Sequence, residues 1–189
     1  MTDIAIDKDG NMVGISFDSV YSVDKDTAKC TYLSTLDREF NGLSFVPAQT
    51  GDPSSQEMLI ASALDGSLYR LESHTGASTA IGNYGGGLTS SGDVVSVAGF
   101  GTVATVKTAA GGGDYLATVD TLSGKATTVG ATGIGDIWGL GFWKDKIFGF
   151  TDTNQFVLID PKTGSAQVVQ TGNVSWWGAG VTTLAPVVQ

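Results

Sequence analysis

Apolar and polar residues alternate with a period of two along most of the chain, in short runs bounded by Gly, Asp and Asn. That period belongs to strands with one buried face, and no long segment carries the i, i+3, i+4, i+7 pattern of a helix. The runs also recur in order. "DIAID" at Asp3, "GLSFV" at Gly42, "VVSVA" at Val94, "GLGFW" at Gly139 and "GAGVT" at Gly178 share a small residue between two apolar ones. Those residues are Ala5, Ser44, Ser96, Gly141 and Gly180, spaced 39, 52, 45 and 39 positions apart. Such a period is that of a four-stranded propeller blade.

Each unit continues alike. A second run ("MVGIS", "MLIAS", "TVATV", "KIFGF") leads into a turn, where Asp65-Gly66 is a two-residue hairpin signal. A third run ("VYSVD", "LYRLE", "YLATVD", "FVLID") ends in a polar turn that opens with an acidic residue: Asp24, Glu72, Asp120 or Asp160. Thr-Gly or Ser-Gly in three of these turns suits a Gly with positive φ, and the acids are expected to accept backbone N–H groups of their own turns. A fourth run ("CTYLST", "STAIG", "ATTVG", "AQVVQ") closes the unit.

Four strands per unit with no crossover helix predict an all-β fold, a β-propeller of four-stranded antiparallel blades. One domain covers residues 1–189, with units near 2–38, 39–86, 87–135 and 136–174 and a closing strand at 175–189. Both terminal runs have the pattern of an innermost strand. The expected ring therefore has four blades and uses its last strand as a clasp; five blades, or completion by another chain, are the alternatives. Where blades converge only small side chains fit, so Gly141→Val and Ser96→Leu are expected to overpack.

The unit "LYxID…TG.A" resembles the degenerate repeats of bacterial β-propeller proteins, many of them secreted, and the resemblance covers nearly the whole chain. It implies the fold and an extracellular or cell-envelope setting. It implies no activity, because propellers host many unrelated ones. The opening "MTDIAIDKDG" lacks the charged and apolar regions of a signal peptide.

Composition narrows the function classes. Ten basic against nineteen acidic residues give a net charge of -9, and Lys and Arg never cluster. Nucleic acid and anionic membrane surfaces are thereby excluded as expected partners. No apolar run approaches the roughly 20 residues of a spanning helix. The single cysteine, Cys30, falls in a strand pattern and is expected to be a buried, inert thiol.

Propeller ligands sit over the axis, where the loops entering the innermost strands converge. Those loops carry Thr2, Asn41, Asp93, Trp138 and Trp177, with Asp3, Asp136 and Trp176 close by. Aromatic faces beside carboxylates and an amide suit a sugar, a peptide or a cation. The competing expectation is that Trp138 and Trp177 plug the channel and clamp the closing strand. Asp3, Asp93 and Asp136, with Asn41, are also the candidates for holding Ca²⁺, which takes six to eight oxygen ligands. Solvated loop acids are the plainer reading, and no cofactor is expected. "DKDGN" at Asp7 lacks the late Glu of a calcium loop and reads as a turn.

Catalytic constellations are poor. His74 is the only histidine and lies in a third-to-fourth-strand turn, away from the axial loops. "GNYGGGLTSSG" and "AAGGGDY" open no helix, so neither is a phosphate cradle. The expected function is a non-enzymatic binding or scaffolding module that recognises a protein or glycan at the axial face. A calcium-dependent propeller hydrolase or lactonase, and a purely structural envelope domain, are the alternatives. Unclosed blade edges would offer a route to self-association.

Overall fold

The computed structural model describes residues 1–48 and 56–188. Residues 49–55, inside the second expected unit, and Gln189, at the end of the closing segment, lie outside the described residues. Among the described residues there are sixteen strands and no helix, and the strands form four antiparallel sheets. Blade 1 comprises β1 (Asp3–Ile6), β2 (Met12–Ile15), β3 (Ser19–Val23) and β4 (Cys30–Thr35). Blade 2 comprises β5 (Gly42–Val46), β6 (Met58–Ser62), β7 (Ser67–Leu71) and β8 (Ser78–Asn83). Blade 3 comprises β9 (Thr89–Val97), β10 (Gly101–Lys107), β11 (Tyr115–Val119) and β12 (Ala126–Ala131). Blade 4 comprises β13 (Ile137–Trp143), β14 (Lys146–Thr151), β15 (Gln155–Ile159) and β16 (Ala166–Thr171). In every sheet the spatial order is the sequence order. The molecule is a four-bladed β-propeller, as the repeated run order requires.

The turns between third and fourth strands hold themselves together as their residues predict. Asp24 Oδ1 accepts the N–H groups of Asp26 and Thr27, Asp120 Oδ1 that of Leu122, and Asp160 Oδ1 those of Lys162 and Thr163. These turns also join blades. Gly164 has φ +77°, and a Cβ there would lie 2.5 Å from the carbonyl oxygen of Gly130, on the outer strand of blade 3. Glycine is needed for backbone conformation and for close approach at once.

Register fixes which residues are equivalent. Ile4 lies opposite Gly14, Leu43 opposite Ala61, Val94 opposite Ala104 and Leu140 opposite Gly149. Asp93 therefore corresponds to Asp3, and Val95 corresponds to Ala5, Ser44 and Gly141. The expected frame of unit 3, centred on Ser96, is one residue late. "DVVSV" accommodates either frame because Asp93, Val94, Val95, Ser96 and Val97 are all buried, which erases the two-residue alternation. The crowding also falls elsewhere than expected. A Cβ on Gly141 would make only ordinary contacts, 3.5 Å from Phe150 and 3.8 Å from Phe148. At Gly139, two residues earlier, it would meet the backbone of Gly178 at 2.8 Å.

Cys30, expected to be buried, is exposed at the start of the outermost strand β4. Outermost strands are covered on one side only, so a small apolar residue there need not be inside.

Three apolar clusters bind consecutive blades. Val13, Ile15 and Val20 of blade 1 pack with Leu43, Leu59 and Leu71 of blade 2. Ile60 and Leu68 of blade 2 pack with Val94, Ala104 and Ala117 of blade 3, and Val103 and Leu116 of blade 3 with Ile147 and Val157 of blade 4. Each fully buried side chain of this size stabilises the fold by about 1.5–3 kcal/mol. Between blades 4 and 1 no such cluster exists among the described residues. Phe148, Phe150 and Phe156 hold the positions of Val13, Ile15 and Val20, yet they are only half-buried.

The C-terminal segment closes this seam at the axis. Gly178 stands between Gly139 on one side and Thr2 and Asp3 on the other: a Cβ on Gly178 would overlap Thr2 and Asp3, and one on Gly139 would overlap the Gly178 backbone. Thr182 then pairs with Ile6 in a parallel bridge, its Oγ1 donates to the Asp7 carbonyl, and Thr183 Oγ1 donates to Glu57. Further on, Thr183 and Pro186 carbonyls accept from Ala98 and Lys144 N–H groups. The segment is thus a clasp, although it forms one bridge and not a full strand.

Candidate functional site

Two layers of side chains meet where the innermost strands begin. The lower layer is a pair of buried carboxyls. Asp3 Oδ1 accepts the N–H of Ile4 at 2.8 Å, and its Oδ2 that of Leu43 at 2.5 Å. Asp93 repeats this half a turn around the axis, accepting Val94 N–H at 2.6 Å and Leu140 N–H at 2.6 Å. The Ala179 N–H of the clasp also reaches Asp93. Each carboxyl thereby ties its own inner strand to the next one.

Asp3 and Asp93 also lie within hydrogen-bonding reach of one another. Burial, with the neighbouring carboxyl, pushes Asp3 well above the usual carboxylate range; burial likewise raises Asp93 against the pull of its hydrogen bonds. Two like charges this close disfavour one another, so both carboxyls hold a proton more tightly than free ones do. Their oxygens are already engaged by N–H groups. Asp136 is elsewhere, half-buried and 3.1 Å from Lys107 Nζ, so the three expected calcium-binding carboxylates do not come together. Among the described residues no group of three or more His, Cys, Asp or Glu side chains does.

The upper layer is formed by the residues preceding that first strand position: Thr2, Asn41, Gly92, Trp138 and Trp177. Asp93, expected in this ring, is one layer down, for the frame reason given above. Trp138 and Trp177 lie 5.8 Å apart at 35°, a tilted pair. Together with Thr2, Asn41, Phe17 and Leu64 they enclose a pocket of about 60 Å³. A second cavity, of about 260 Å³, shares Phe17, Asn41 and Leu64 and extends over Phe40 and Ala63.

Asn41 is 5% exposed, and among the described residues neither its Oδ1 nor its Nδ2 has a partner; the Trp138 Nε1 is likewise buried and unpartnered, and all three atoms lie beneath a pocket surface that is apolar. Trp176 is not part of this layer. Its ring leans on Phe150 at 5.2 Å and lines the outer cleft of blade 4 with Phe156 and Val174.

Phe17 and Leu64 are the rim residues that the repeat did not reveal. They come from the turns between second and third strands, and both are more than half exposed. Their signal was an apolar residue inside an otherwise polar turn, in "SFDS" and "ALDG".

No protein-family model matches the chain, and neither does any curated protein. Solved structures do. Puromycin hydrolase matches with a TM-score of 0.52 and 14% identity, over 92% of this chain and 29% of that one. A mutant of that hydrolase complexed with PGG matches with a TM-score of 0.52 and 14% identity over 90% of this chain. A computationally designed protein, Ika8, matches with a TM-score of 0.44 and 15% identity, over 89% of this chain and 48% of that one. The chain thus spans under a third of the length of puromycin hydrolase, and at this identity the likeness shows the propeller fold alone.

Proposed function

We propose that the chain is a non-enzymatic binding propeller that holds a protein or glycan ligand over its axial face, in an extracellular or cell-envelope setting. The observation that carries this reading is the apolar rim of Phe17, Leu64 and Trp177, each about half exposed over the axial cavities. Side chains that only plugged the channel would be buried in it, and an exposed cluster of large apolar groups is a mark of a binding face. Hydrolase chemistry finds less support: the one histidine, His74, is exposed in a turn of blade 2, away from the buried Asp pair.

The test is a screen of immobilised glycans and peptides, followed by titration of the hits with tryptophan emission as the readout. Trp177, half-exposed at the rim, is the reporter and the anchor. Trp177→Ala should weaken a true axial ligand by about tenfold or more and move the melting temperature by less than about 4 °C. A ligand that binds the variant as tightly as the parent occupies another face, and the axial reading falls.

A further inference from the structure

We infer that the wedge between blades 4 and 1 receives three further strands, donated by a partner protein as a β-meander that completes a fifth blade on the clasp. Position at the axis comes first. The Ala179 N–H reaches Asp93 as the Leu140 N–H does, and a Cβ on Gly178 would meet Asp3 as one on Gly42 would meet Asp93. Residues 178–181 therefore hold the place of a fifth innermost strand, with Gly178 and Gly180 corresponding to Asp3 and Ala5. Asp3 and Ala5 pair with Ile15 and Val13 of a second strand. Gly178 and Gly180 make no backbone hydrogen bond among the described residues. The clasp thus presents a free strand edge to the wedge, the template on which a strand from another chain adds.

Both walls of the wedge continue the series of blade-to-blade interfaces. In blades 1, 2 and 3 the bulged residue of the outermost strand, Leu33, Ile81 or Val129, packs on the apolar cluster shared with the next blade. The blade 4 counterpart, Val169, is 56% exposed beside the half-buried Phe148, Phe150 and Phe156. On the opposite wall, Ile4, Met12 and Tyr21 of blade 1 are only half-buried, whereas their blade 4 counterparts Leu140, Ile147 and Val157 are fully buried against blade 3. The turns repeat the difference: Gly76, Gly124 and Gly164 are buried against the outermost strand of the preceding blade, and Ala28 is exposed.

These walls specify the occupant. It lies between two apolar faces, so its strands are apolar on both sides. Lys146 and Lys162, at the border of the blade 4 wall, are exposed and in no ion pair among the described residues, which favours an acidic residue on the donor there. A second intact copy has no meander to give, because its sixteen strands all belong to blades of their own. The residues that follow the clasp strand do not enter the wedge either. The Thr183 and Pro186 carbonyls accept from Ala98 and Lys144, and the Val188 N–H donates to Asp145.

Three synthetic peptides stand in for the donor, carrying the second to fourth strands of blades 1, 2 and 3 (residues 10–36, 57–84 and 100–132), each beside a scrambled control. None contains Trp, so tryptophan emission reports on the protein alone, and Trp176 lines the blade 4 cleft. Each peptide is titrated into the intact chain, following that emission and, by NMR, hydrogen exchange of the Gly178 and Gly180 amides. At least one peptide should bind one to one, shift the emission to the blue and slow both amides by about tenfold or more; its scrambled control should do none of these. Val169→Lys on one wall and Tyr21→Lys on the other should each weaken binding by about tenfold or more. Val169 is exposed, so its variant should keep the parent's melt and remain readable if Tyr21→Lys fails to fold. Failure of all three peptides overturns the inference, as does binding that leaves the two amides unprotected or survives Val169→Lys. Sedimentation equilibrium of the chain alone should show a monomer; a dimer that Val169→Lys dissolves would make a second copy the occupant, and the donated meander falls.

Discussion

Asp3 and Asp93 are the residues on which stability should depend most visibly through pH. Their folded-state affinities for protons are raised, so their contribution is fully present below the unfolded value of 3.8 and is lost as pH rises through the folded values. Lowering the pH from about 7 to about 5 should therefore raise the melting temperature, by about 2 °C or more. Surface acids set the lower limit. The Thr27 hydroxyl holds Asp24 below its usual range, and the Leu122 N–H does the same for Asp120. Stability from these groups is present above 3.8 and lost as pH falls through their lowered values. Asp93→Asn removes one charge from the pair and keeps only one of the two oxygens that accept the Val94 and Leu140 N–H groups, so it should lower stability at every pH and flatten the rise between pH 7 and 5. Differential scanning calorimetry of parent and variant across that range decides it: an identical slope in both would place the titrating group elsewhere.

At the level of elements, the blade junctions make a contrast that one pair of substitutions can read. Gly164 is forced into positive φ and abuts Gly130, whereas Ala28, at the same turn position in blade 1, has φ +56° and is exposed. Gly164→Ala should cost about 1–3 kcal/mol in chemical denaturation, through strain and overlap together. Ala28→Gly should cost nothing or stabilise slightly, because it relieves a left-handed alanine and meets no neighbouring blade. A large loss at Ala28 would mean that its turn is packed after all. The turns were legible in the sequence because Asp, Thr and Gly act locally, through bonds to their own backbone. The blades were legible because strand alternation repeats. The frame of unit 3 was not, since burial of both faces of β9 removes the alternation that sets a frame. The axial site was half legible: Asn41, Trp138 and Trp177 follow from their place before the first strand, but Phe17 and Leu64 belong to turns that no periodicity marks. The exposure of Cys30 depends on which strand is outermost, a matter of tertiary packing.

For the molecule as a whole, closure rests on the clasp. Removing residues from Ser175 onward would uncover Ile4, Gly139 and the Asp93 carboxyl at once, and would leave the inner strand edges of blades 4 and 1 without cover. Such edges pair with other chains, so size-exclusion chromatography should show self-association of the truncated protein; a well-behaved monomer with an unchanged melt would show that the ring closes without the segment. The seam has one more consequence. A ring held by three apolar joints, the last of which also takes in Ala185 of the clasp, and fastened to blade 1 by hydrogen bonds behaves as a split washer: it can spring open at the slit while the blades stay intact. Opening of that kind is a sub-global event, with a free energy below that of unfolding the blades. Native-state hydrogen exchange should therefore find the Ala98 and Lys144 amides, which donate to the clasp carbonyls, exchanging together and well before the Leu116 amide deep in blade 3. Simultaneous exchange of all three only at global unfolding would mean that the washer is not split but welded.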